Sequence, residues 1–302
     1  MKIKMFRRVV LAVLLALVVQ SCQTPDIPNV GRYPILFADS GTRAVANIET
    51  LQTEGFKVYA FFQGNKNSST FEKSVTYNSQ ENVWVYNPLE YWIPSTSYWF
   101  KAFYPTTLTA GELTVDNSSS SQTFSISDFD ITEQVDVMVA SSGQIEVPKG
   151  ADAPVNGSVV NLEFKHILAS VVVKIKAEVN VTIQDISLKY VPVKCSYSNG
   201  IWSQSSQGNI EKSGVNKQLV KSNEYTEVPE GGFLVVPSSA DGVELYVKTS
   251  DKQYNIKIPT INWASGVKYI YTMTIKQNDI IFNEPTVKDW DEESATGSVV
   301  IK

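Results

Sequence analysis

A chain of 302 residues with a net charge of −5, one histidine and two cysteines is already restricted in what it can do. With no basic tract after the first eight residues, it lacks the electrostatic footprint of a nucleic-acid binder. A single imidazole excludes metal sites of the histidine-rich kinds, and no other metal or cofactor motif takes their place.

Lys2, Lys4, Arg7 and Arg8 form a basic start, an apolar run covers residues 9–19, and Gln20 and Ser21 lead into Cys22. The run is shorter than the ~20 residues that a bilayer span needs. The order of basic region, apolar run, small residue and cysteine fits a removable lipoprotein signal over residues 1–21, with Cys22 acylated as the new N-terminus. With Cys22 carrying lipid, Cys195 has no partner, so the mature chain holds no disulfide in spite of export. Cys195 follows the alternation of Val191 and Val193, which predicts an inert buried thiol.

Residues 22–32, with Pro25 and Pro28, read as an extended tether. Beyond it the pattern has period two. Phe56, Val58, Ala60 and Phe62 alternate with Lys57, Tyr59 and Phe61, and Val171, Val173 and Ile175 alternate with Val172 and Lys174. Val243, Leu245 and Val247 follow the same rule, as do Tyr269, Tyr271, Met273 and Ile275. Successive strand side chains point to opposite faces, so this is the signature of half-buried strands. Turn chemistry separates them, as at Ser198-Asn199-Gly200 and Ala240-Asp241-Gly242. No segment sustains a long helical period. The expectation is an all-β chain of two tandem β-sandwich domains. The polar stretch 148–157 is the better of two boundaries, which places the domains at 33–155 and 156–302.

Chemistry-bearing residues are few. His166 sits among apolar neighbours and is read as a packing histidine rather than a general base. Asp128, Asp130, Glu133 and Asp136 cluster, but the glycine and terminal glutamate of a calcium loop are missing, so they are read as solvated loop acids. Nothing selects a catalytic pair, and the chain is read as a non-enzyme. Aromatic residues crowd positions 84–104. Most are expected to fill a core, with an exposed contact for a host glycan or protein near Trp92 as the functional alternative.

Several segments together resemble the fimbrillin (Mfa-like) family of type V pilin subunits and related surface lipoproteins. They include Leu36-Phe37-Ala38-Asp39 with Thr42-Arg43-Ala44, Tyr91-Trp92-Ile93-Pro94, Phe100-Lys101-Ala102-Phe103-Tyr104-Pro105, Leu162-Glu163-Phe164-Lys165-His166 and Val287-Lys288-Asp289-Trp290. The resemblance implies two sandwiches of transthyretin-like topology, attachment to the outer membrane through lipid on Cys22, and exposure at the cell surface. It also implies a maturation step in which a protease cuts between Arg43 and Ala44, the first strand over residues 33–38 leaves, and a strand of another fimbrial subunit fills the groove. On the same resemblance His166 and Trp290 are packing landmarks. The donor candidate in this chain is Gly297, Ser298, Val299, Val300 and Ile301, which could equally be the last strand of its own domain. The alternatives are a fimbrial anchor or tip component, or a surface lipoprotein that never polymerises.

Overall fold

The computed structural model describes residues 33–39, 46–64, 67–277 and 279–290. In chain order come β1 (Leu36–Asp39), helix α1 (Ala46–Glu54), β2 (Phe56–Gly64), β3 (Ser68–Asn78), β4 (Val83–Val85) and β5 (Thr96–Tyr104). Next are β6 (Glu112–Asp116), β7 (Thr123–Asp130), β8 (Met138–Val147), β9 (Val159–Leu162) and β10 (Lys165–His166). β11 (Ala169–Ala177), β12 (Val181–Ser198), β13 (Ile201–Lys212), β14 (Lys217–Leu219), β15 (Thr226–Glu227) and β16 (Phe233–Val235) follow. β17 (Glu244–Thr249), β18 (Gln253–Lys257), β19 (Val267–Ile275), β20 (Ile280–Phe282) and β21 (Thr286–Asp289) complete the described chain, which is all-β apart from α1 and a short 3-10 turn.

The strands form four sheets. β1 and β9 make a parallel pair. A second sheet runs β10-β8-β5-β2-β3-β4. The third runs β15-β11-β19-β20, with β16 added to β11 and β21 to β19. A fourth runs β18-β17-β12-β7-β6, with β13 and β14 along the other edge of β12. Two apolar cores result. The first gathers Ile35, Phe37, Leu51, Val58, Phe100 and Leu162 between the β1–β9 pair, α1 and one face of the second sheet. The second core fills the space between the third and fourth sheets, with Val173, Leu188, Val247 and Tyr271 among its members.

The second sheet serves both cores, which explains a departure from simple alternation. Along β2, Phe56, Val58 and Ala60 face the first core as expected. The alternate positions Tyr59 and Phe61 are buried as well. Tyr59 enters the second core, where its ring meets Phe124 at 5.6 Å, and Phe61 packs against Trp99 at 5.7 Å. A sheet covered on both faces loses the polar half of its period.

The core changes over past the expected join at residue 155. Val160, Leu162 and Phe164 still belong to the first core, while Ile167 and Leu168 belong to the second. The N-terminal half also lends two strands to the second sandwich. β7 pairs antiparallel with β12, with Cys195 opposite Phe129 and Tyr197 opposite Ile126, and β6 pairs with β7. The polar stretch is therefore a surface loop within the first core's chain path. It does not separate the two cores.

Among its described side chains helix α1 has one deeply buried anchor, Leu51, and its sequence has too few apolar positions to make a visible stripe. It ends at Gly55, whose N–H donates to Leu51 O at 2.8 Å with φ at +74°. That is a left-handed helix cap, which favours glycine. A Cβ there would lie 2.4 Å from Val75 O.

Candidate strand-exchange site

From Pro34 to Ala38 the segment alternates between inside and outside. Ile35 and Phe37 are buried and Leu36 is exposed, so the period of two decides which side chains plug the first core, while Tyr33, in phase with the buried pair, already lies outside it. Phe37 lies 5.4 Å from the ring of Tyr86 and meets Phe100 edge-on at 5.8 Å.

The segment is held on both sides by main chain. Towards its start, Ile35 N–H donates to Glu90 O at 2.9 Å and Trp92 N–H donates to Tyr33 O at 3.1 Å, with Pro34 bridged antiparallel to Tyr91. Towards its end, Leu36 N–H donates to Ser158 O at 3.1 Å, and residues 36–39 run parallel to Val159–Leu162. From above, the Tyr86 hydroxyl donates to Ile35 O at 2.7 Å. Burial pushes that phenol up to about 12, so it remains a donor at any ordinary pH.

Both walls of this slot also have anchors independent of β1. Lys73 Nζ meets Glu90 Oε1 at 2.6 Å and ties the 90–92 segment to β3. The Ile93 N–H donates to the Tyr98 hydroxyl at 3.0 Å. Trp92 Nε1 donates to Ser158 O at 3.2 Å, and its ring stands edge-on to Tyr98 at 4.8 Å. Ser158 O therefore accepts two bonds, one from Leu36 and one from Trp92.

The fimbrillin-like family profile matches residues 42–290. The chain belongs to the fimbrillin-like family. Its fold is shared with crystal structures from several Bacteroides species. A fimbrial protein from Bacteroides vulgatus superimposes with a TM-score of 0.61 at 16% identity, covering 86% of this chain and 99% of that one. A cell-adhesion candidate from Bacteroides ovatus gives 0.58 at 15% identity, covering 87% and 99%, and another from Bacteroides uniformis gives 0.54 at 15%, also covering 87% and 99%. No curated protein matches the sequence.

The expected site residues of this fimbrillin-like chain fall into two groups. Cys22, Arg43, Ala44, Gly297, Ser298, Val299, Val300 and Ile301 lie outside the described residues. Trp92 lies inside them and is corrected. It is only 3% exposed and belongs to the first core, so it is no surface platform for a glycan. Its indole instead braces β9 against the slot. Tyr86, Ser158 and the parallel partner strand β9 were not identified from sequence. The alternation at Val159-Val160-Asn161-Leu162 marks a strand, but no local signal names a partner so distant along the chain.

The remaining chemistry-bearing residues have structural duties. His166 is buried, its ring stacks on Trp290 at 3.9 Å and 4°, and its Nδ1 meets Asp136 Oδ2 at 2.8 Å. Asp130 accepts from Thr132 N–H to cap the 3-10 turn and pairs with Lys194 at 2.7 Å. The expectation that these acids are merely solvated is corrected for Asp130 and Asp136. Cys195 is fully buried, and burial pushes its thiol up to about 11. Among the described residues no three His, Cys, Asp or Glu side chains gather to hold a metal, and no helix is long and apolar enough to cross a membrane.

Proposed function

We propose that this fimbrillin-like chain is a fimbrial subunit, made as a precursor lipid-anchored through Cys22 at the outer membrane. It is matured by cleavage between Arg43 and Ala44 and assembled by strand exchange, in the service of adhesion. The observation that carries this reading is the slot around residues 33–39. Its occupant plugs the core with two side chains, Ile35 and Phe37, while both walls are fixed by bonds of their own. Loss of the occupant would leave an apolar groove bordered by unpaired main-chain groups, which a strand from another subunit could satisfy. Such a head-to-tail contact need not close on itself and so grows filaments.

A strand entering in either direction would meet one parallel and one antiparallel neighbour, because the present occupant already does. Direction is then set by side chains, which must present two apolar groups at alternate positions. Residues 297–301 remain the candidate donor, with Val299 and Ile301 at that spacing.

Mass spectrometry before and after limited trypsin treatment, beside native gels, tests the reading. Selective cutting after Arg43 followed by a ladder of oligomers is the expected result. A cut chain that loses residues 33–38 yet stays monomeric at high concentration would refute self-assembly by this route.

A further inference from the structure

The face of the second sheet that looks towards the second core carries aromatic side chains and two cations, Lys57 and Lys101. Register places Tyr59 beside Lys101, Phe61 beside Trp99, and Lys57 beside Phe103. Lys57 is neutralised by Glu72 at 2.8 Å. Lys101 is half-buried, and among the described residues no carboxylate lies within ion-pairing distance of it. Its Nζ donates to the Gln122 carbonyl and lies 5.7 Å from the centroid of Phe124. Burial alone pushes this ammonium below the ordinary lysine range. A half-buried cation without a counter-charge is partly desolvated, and an incoming anion would favour its charged form.

Lys101 lines a cleft of about 420 Å³ between the second and fourth sheets. That volume lies within the roughly 300–1,000 Å³ typical of small-molecule sites. A bulge at Ser142 shifts β8 by one residue and brings Ser141 opposite Lys101. Bulges commonly re-aim side chains next to sites. Val139 and Tyr197 supply apolar wall, and Asn199 stands at the mouth on the tight turn between β12 and β13. Asn199 and Gly200 both have positive φ, 49° and 87°, which fits a two-residue hairpin turn. Across the mouth, the exposed Lys165 and Glu163 side chains lie 3.6 Å apart.

We propose that this cleft binds a carboxylated sugar, with the carboxylate on Lys101 Nζ. Its hydroxyls meet Ser141, Asn199 and the Lys165–Glu163 pair, and the C–H edge of the ring rests on Val139. The mixture favours a sugar over a simple anion, because one cation without a carboxylate partner and one lysine–glutamate pair stand among neutral hydrogen-bonding groups and a small apolar wall. The site does not involve the slot of β1, so it is independent of strand exchange.

Titration of the purified full chain with glucuronate, followed by amide chemical shifts, tests the proposal. Saturable changes centred on Lys101, Ser141 and Asn199 are expected, with glucose and acetate giving none. Lys101→Met should weaken binding about tenfold or more, the size expected for one charged hydrogen bond. Should that variant fail to fold, Lys165→Ala at the exposed mouth should weaken binding a few-fold. The proposal is overturned if glucuronate shows no saturable binding, or if binding is unchanged in every folded variant. Acetate or an acidic peptide binding as well as glucuronate would overturn the assignment to a sugar.

Discussion

Phe37→Ala is the most direct probe of the slot, because the neighbouring residue on the same strand serves as its control. The Phe37 ring is 5% exposed and contacts Tyr86 and Phe100, whereas Leu36 is 37% exposed. Truncating a buried phenylalanine costs about 3–5 kcal/mol. A strand lying at the edge of its core lets neighbours relax, so the lower end, about 3 kcal/mol, is expected. Leu36→Ala should stay within about 0.5 kcal/mol of the parent. Urea unfolding of the uncleaved chain, read by tryptophan fluorescence, reports the first core through Trp84 and Trp92. With a slope of about 3 kcal/mol per molar urea, the Phe37→Ala midpoint should fall by about 1 M. The proposed cleavage after Arg43 and release of the strand would remove residue 37 altogether, so the two variants and the parent should then unfold alike. Equal damage from both substitutions, or a Phe37→Ala loss under about 1 kcal/mol, would refute the assignment of Phe37 as the plug.

Trp92→Phe removes the indole bond to Ser158 O and should cost about 1–2 kcal/mol in urea unfolding. It should leave any sugar binding unchanged. Gly55→Ala forces a Cβ against Val75 O at a positive φ and should cost roughly 2 kcal/mol or more, visible as a lowered urea midpoint. Burial pushes Tyr59, Tyr86, Tyr98 and Tyr271 each up to about 12. Their folded values exceed the unfolded one near 10, so this stabilisation is complete below about pH 10 and is lost as pH rises through about 12. Phenolate absorbance at pH 11 should therefore be well below that of the urea-unfolded chain, and equal absorbance would contradict the burial.

The parts of this structure legible in the sequence are those whose cause is local. β17 follows the predicted alternation and β19 buries the predicted Tyr269, Tyr271, Met273 and Ile275, whereas in β11 Val172 is buried together with Val171 and Val173. The turn at Asn199-Gly200 lies where its residues demanded it. Helix α1 leaves little trace in the sequence because, among its described side chains, Leu51 is the one deeply buried contact, although Gly55 is a cap signal. The burial of Trp92 is not legible, because an aromatic cluster does not say which ring lies outermost. The pairing of β1 with β9 and the insertion of β7 beside β12 are long-range matters of topology, carried by residues far apart in sequence.

The shared second sheet and the lodging of β7 against β12 have a mechanical consequence. No single peptide linker joins the two cores: Tyr59 and Phe103 of the middle sheet are packed into the second core, and β6 and β7 are hydrogen-bonded into its wall. In a filament assembled by the proposed strand exchange, a pull entering at the slot and leaving near Trp290 would load these packed faces and strand pairs together. The subunit would resist tension as one stiff link, and under force the joint between subunits should slip before the body of either one stretches.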